Sequence, residues 1–132
     1  MKNLLSIAVG GIAGTLLRYS INLLTLESGF PYGTLLENLA GSFLLGTLTG
    51  YFALRTTKEW VKLGLGVGLC GGFTTFSTFA ADSVYLYLHS HFISTISYIC
   101  VSIAGGVFLA AAGFVLAQNI TSKQSRKRGV QP

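Results

Sequence analysis

The chain has 132 residues, 51% hydrophobic and only 10% charged, with nine basic and four acidic side chains and a formal charge of +5. Soluble domains give about a quarter of their residues to charge, so this composition and a mean hydropathy of +0.62 exclude an ordinary water-facing globule and a disordered chain. The length allows one domain, here a single membrane domain over residues 1–132, with no separate soluble module to carry chemistry.

A helix needs about 20 apolar residues to cross a hydrocarbon core of about 30 Å, and four stretches qualify. The first, Leu4 to Leu26, holds Arg18 as its sole charge. Its start, Lys2 and an apolar run into Gly10-Gly11, has the outline of a secretory signal; its length and the three later segments favour a span. Ser28-Gly29-Phe30-Pro31 makes a turn into the second span, Tyr32 to Leu54, which carries Glu37. Arg55 to Lys62 leads to the third, Leu63 to Leu88, with Asp82; His89-Ser90-His91 leads to the fourth, Phe92 to Ala117, which has no charge. Residues 118–132 read as a basic tail. Continuous apolar runs without period-two alternation make these helices, not barrel strands. The fold class expected is therefore an all-α membrane protein of four transmembrane helices.

Four spans place both termini and the second connection on one side. Lys2, Arg55, Lys58, Lys62, Lys123, Arg126, Lys127 and Arg128 all fall there, and the other side has no Lys or Arg. The positive-inside rule then predicts a cell-membrane protein with both termini in the cytoplasm. These short clusters beside apolar segments do not form the basic, aromatic-interleaved stripe of a nucleic-acid binder. Cys70 and Cys100 stand alone inside spans and read as buried, inert thiols.

Glycine is frequent, with 17 residues. Gly10 with Gly14, Gly46 with Gly50, and Gly64 with Gly68 and Gly72 are small residues four apart, which let helix backbones approach closely in lipid. Each pair can serve packing within the chain or a dimer interface.

Ionisable groups inside a span cost at least about 2.5 kcal/mol on insertion scales. Arg18, Glu37 and Asp82 all fall in the half opposite the basic clusters. They can form an intramembrane ion pair, with the guanidinium bridging one or both carboxylates, or a vestibule whose cation attracts anions. The segment Gly68-Leu69-Cys70-Gly71-Gly72-Phe73-Thr74-Thr75-Phe76-Ser77-Thr78-Phe79 is a poor helix at mid-span. A break there would free backbone carbonyls, hard oxygen ligands suited to a small cation; the plainer reading is close packing with hydroxyls bonded back to the helix. Asn38, flanked at four residues by Thr34 and Ser42, Tyr98 with Ser102, and Phe76 with Phe79 each share a helix face. Amide and hydroxyl donors and electropositive ring edges together could replace the hydration shell of a small anion.

The run Gly71-Gly72-Phe73-Thr74-Thr75-Phe76-Ser77-Thr78-Phe79 resembles the Fluc (CrcB) fluoride-channel family, as do Gly33-Thr34-Leu35 leading to Asn38, Gly41-Ser42-Phe43-Leu44-Leu45-Gly46, and Gly11-x-x-Gly14 followed by Arg18-Tyr19. The resemblance covers Gly10 to about Gly106. It implies an antiparallel (inverted) dimer with fluoride pores, and a structural sodium ion at the dimer centre that is not transported. By position, Gly71 and Thr74 match the break residues whose carbonyls hold sodium. Phe76 and Phe79 match the pore phenylalanines, Asn38 the pore asparagine, and Thr78, Tyr98 and Ser102 the polar track. Arg18 matches the first-span arginine, and Asp82 stands where many relatives have glutamate. Two departures are Gly106, where some relatives carry a track hydroxyl, and Glu37, where an apolar residue is usual.

The resulting expectation is passive exit of cytoplasmic fluoride, with no enzyme activity. The strong charge bias further suggests that the chain inserts one way and pairs with an oppositely biased paralogue. A small multidrug-type exporter shares the four spans but would need a first-span glutamate, which this chain lacks. A non-conducting partner or scaffolding subunit would need no polar track.

Overall fold

The computed structural model describes residues 1–25 and 29–127, with side chains as far as residue 124. Leu26, Ser28 and the final part of the basic tail, including Arg128, lie outside the described residues, as do the side chains of Arg126 and Lys127. Four long helical passes make up the chain. The first is α1 (Lys2–Thr25) and the second α2 (Tyr32–Leu54). The third opens with α3 (Glu59–Lys62), continues as a π-helical stretch over Leu63–Cys70 and the short α4 (Gly71–Phe73), and resumes as α5 (Phe76–His89). The fourth, α6 (Phe92–Lys127), runs past the expected span, so the first part of the basic tail is helical.

Glycine contacts set the packing. A side chain at Gly10 would meet the Gly64 carbonyl and come within 2.9 Å of the Leu69 amide; one at Gly72 would come within 2.6 Å of the Gly11 carbonyl. Gly14 lies against the Leu69 carbonyl, and Ser6 donates to the Trp60 carbonyl at 2.7 Å. Residue numbers rise together along this contact, so α1 and the third pass lie parallel. The second pair works alike. Gly46 meets the Ala110 carbonyl, Gly50 the Phe114 carbonyl and Gly113 the Phe43 carbonyl, which makes α2 and α6 parallel neighbours. The glycines spaced by four thus seal contacts within the chain, and backbone approach replaces a large apolar core. Buried apolar side chains among the described residues are only Cys70, Leu86, Tyr98 and Ala117.

This arrangement gathers Lys2, Lys58 and Trp60 at one end, around a largely apolar surface groove of about 820 Å³. Lys2–Thr25, Glu59–His89 and Phe92–Gln124 are long and apolar enough to cross a membrane. Glu37 and Asn38 dilute α2, which is also the pass with the most buried positions: Gly33, Thr34, Glu37, Gly41, Gly46 and Gly50. A helix sheltered by protein needs less apolar surface than one facing lipid. Cys70 is buried as expected, but Cys100 is exposed on the surface of α6.

Candidate functional site

The third pass breaks at two threonines. Thr74 (φ −85°, ψ 157°) and Thr75 (φ −146°, ψ 130°) are extended, while the paired glycines before them stay helical. In a dry interior every freed backbone group needs a partner, and the local sequence supplies several. Thr74 closes the upstream helix by donating from both its amide and its hydroxyl to the Cys70 carbonyl, each at 2.9 Å. Thr75 is the N-cap of α5: its Oγ1 accepts from the Thr78 amide at 3.2 Å and lies 3.0 Å from the Thr78 hydroxyl. Hydroxyl residues are favoured N-caps for this reason.

The remaining partner comes from another helix. The Thr75 amide donates to Asn38 Oδ1 at 2.8 Å, and Asn38 Nδ2 donates to the Thr75 carbonyl at 2.9 Å. Asn38 therefore splints the break as a neighbouring backbone would. One Nδ2 hydrogen remains for another acceptor.

These diversions bear on two carbonyls. In an unbroken helix the carbonyl of residue i accepts from the amide of residue i+4. The donor due to Gly71 is the Thr75 amide, now on Asn38; the donor due to Thr74 is the Thr78 amide, now on Thr75 Oγ1. Gly71 and Thr74 are the two residues that the resemblance marks for sodium. Gly71 is exposed, with open space where a side chain would stand. Carbonyl oxygens freed of their helix donors are hard ligands of the kind a small cation takes.

Beside the break lies an open groove of about 280 Å³, lined by Asn38, Ser42, Thr74, Phe76, Phe79 and Ser102, with Leu45 and Ile103 as apolar wall. Gly41 lets the break pack closely against α2, because a side chain there would run into the Thr74 methyl and come within 3.2 Å of the Phe73 ring. Ser102 Oγ is buried and has no hydrogen-bond partner, which in a folded protein calls for a ligand or a water. Phe76 is 80% exposed, and its ring centroid lies 5.8 Å from that of Phe79.

Residues 5–114 match the family described as CrcB-like protein, Camphor Resistance (CrcB). The chain belongs to the CrcB family. It is 51% identical over 127 residues to a "Fluoride-specific ion channel FluC 2" of Halalkalibacterium halodurans, covering 96% of this chain and 94% of that relative. It is 41% identical over 128 residues to a protein of the same name from Bacillus licheniformis, covering 97% and 96% of the two chains. A "Fluoride-specific ion channel FluC" of Ignicoccus hospitalis is 40% identical over 121 residues, with 91% and 98% covered.

Within this CrcB fold, Tyr98 and Thr78 stand elsewhere than the groove wall. Tyr98 is buried behind Phe79, with ring centroids 5.5 Å apart, and it donates to Asp82 Oδ2 at 3.3 Å. It backs the ring that lines the groove. Thr78 turns toward the Thr75 hydroxyl. Thr75 and Gly41 were not singled out as site residues from sequence. A threonine just before a helical apolar run is the N-cap signal that could have found the first.

Of the two carboxylates that Arg18 could bridge, Glu37 receives no hydrogen bond from it. Glu37 is fully buried, and neither carboxylate oxygen has a hydrogen-bond partner. Arg18 is half-buried and acts on Glu37 only through space, as does Asp82. The reason lies in the packing: Gly33, Thr34 and Gly41 are buried along α2 with Glu37, whereas Asp82 is engaged by Tyr98.

Proposed function

We propose that this chain is a subunit of a fluoride-selective channel through which cytoplasmic fluoride leaves the cell passively, reducing fluoride toxicity. The observation that carries this reading is the groove itself. Ser102 with its unpartnered hydroxyl, Asn38 with one amide hydrogen to spare, and the rings of Phe76 and Phe79 line one small space. Such donors suit a compact anion, which accepts strong hydrogen bonds, and an ion that must leave again needs few fixed charges around it. The names of the relatives point the same way.

Sodium held by the Gly71 and Thr74 carbonyls would supply fixed positive charge at the break. Those carbonyls have lost their usual donors to Asn38 and Thr75, and Gly71 leaves its side open for a second subunit. An antiparallel dimer also suits the surface. The chain exposes 8803 Å², against about 6700 Å² for a compact water-soluble monomer of 14.0 kDa. Lipid and a second subunit are the natural covers for the excess.

The charge bias favours one kind of partner. A homodimer of inverted subunits requires one chain to insert both ways, which eight basic residues at one end oppose. The partner is therefore an oppositely biased paralogue, with the termini of this chain in the cytoplasm. The test is fluoride efflux from liposomes that hold this chain alone, and this chain with such a paralogue. Efflux only from the pair is expected; a conducting antiparallel homodimer from the chain alone would overturn the heterodimer.

A further inference from the structure

Glu37 is the buried ionisable group that no part of the proposed pathway uses. It lies one helical turn from groove-lining Gly41 on the same face of α2, and next in sequence to Asn38. Its exposure is 0%, and both its oxygens lack hydrogen-bond partners. Full burial means that no lipid headgroup or partner-subunit side chain reaches it in this packing. An occupant must be small enough to arrive from within.

The surrounding charges do not satisfy it. Arg18 of α1 and Asp82 of α5 reach it only through space, and neither gives its oxygens a hydrogen bond. Tyr98 of α6 is close enough to feel both carboxylates, but its single hydroxyl hydrogen goes to Asp82. The π-helical stretch and α4 bring Cys70 as their sole titratable side chain. Thr95, one turn before Tyr98 on α6, is another buried hydroxyl without a partner. An ionised carboxylate left with two empty acceptor oxygens in such a place is strongly disfavoured. A proton removes the charge and turns one oxygen into a donor.

We propose that Glu37 is a proton-binding site beside the groove: protonated, it leaves the groove open to anions, and deprotonated in alkaline medium, it closes the groove by repulsion. The effect on flux rests on the channel reading above; proton occupancy does not. The sign follows directly. Flux is full while the proton is held and falls as pH rises through its loss. Infrared spectra of the reconstituted chain with isotope-labelled glutamate test occupancy without reference to conduction. A protonated-carboxyl C=O band at neutral pH, absent from E37Q and lost from the wild type in alkali, is expected; no such band overturns the proposal.

Fluoride flux tests the gate. Between about pH 6 and about pH 9, wild-type flux is expected to fall about tenfold while E37Q, which mimics the neutral carboxyl, stays within about twofold. A flat wild-type profile overturns the gate. A preparation that passes no fluoride at any pH counts against the channel reading, and the infrared band still decides whether Glu37 carries a proton.

Discussion

Replacing Asn38 with alanine separates a splint from a simple anion donor. The substitution removes both bonds to Thr75, at 2.8 and 2.9 Å, and leaves an amide and a carbonyl unpaired beside a residue only 8% exposed. Each orphaned buried group costs about 1–3 kcal/mol, so the break should weaken by about 2–6 kcal/mol before relaxation. That is a large part of the about 5–15 kcal/mol that holds a domain together. Hydrogen exchange reads it locally. A weakening of about 2 kcal/mol raises exchange of the Thr75 amide about 30-fold, with smaller changes in α2 and α6 far from the break. N38D adds a second reading: it keeps an acceptor for the Thr75 amide, loses the donor to the Thr75 carbonyl, and sets a carboxylate on the groove. Its exchange should rise less than that of N38A while fluoride flux is lost. Wild-type exchange at Thr75 in N38A would refute the splint and return Asn38 to the role of an anion ligand alone.

Other substitutions probe other parts. Thr75→Val removes the N-cap of α5 and should cost about 1 kcal/mol, read as a lower thermal midpoint in detergent. Ser102→Ala deletes a buried hydroxyl that has no partner, so stability should hold or rise slightly while fluoride flux drops about tenfold; equal flux would remove Ser102 from the path. Gly46→Val would drive a side chain into the Ala110 carbonyl, forcing α2 and α6 apart at a cost of about 1–3 kcal/mol or more, visible as loss of folded protein on size exclusion. Phe79→Ile removes a ring from the groove and its tilted contact with Tyr98; unchanged flux would take Phe79 out of the conducting set.

The passes and the place of the break were readable because both have local causes. Apolar runs of helical length need no tertiary information, and a Thr-Thr-x-Ser-Thr run after glycines signals a helix stop and a restart. The detail of the break was not local. The whole run from Gly68 to Phe79 was the expected weak segment, and within it Gly71 and Gly72 remain helical, since a helix pairs its own backbone in the absence of water. The chain opens at Thr75 because Asn38, 37 residues earlier, takes over its amide and carbonyl. The π-helical stretch over Leu63–Cys70 has no comparable signal in its alternation of leucine and glycine. Tyr98 shares a helix face with Ser102, but only packing shows that Phe79 stands between it and the groove. Opposite charges in one half of the membrane suggested that Arg18 bridges one or both carboxylates or forms a vestibule, and only the packing shows that the Glu37 oxygens have no hydrogen-bond partner. The glycine pairs were legible as close contacts but not as intramolecular ones.

The central claim is that the groove beside Thr74 and Thr75 passes fluoride and rejects larger halides. Passive efflux from liposomes preloaded with fluoride or with chloride, followed by ion-selective electrodes under the same potential, tests it most directly. With the chain in its conducting assembly, fluoride should empty rapidly while chloride loss stays at the rate of protein-free vesicles. Equal release of the two ions, or no fluoride release from any assembly that contains this chain, would contradict it.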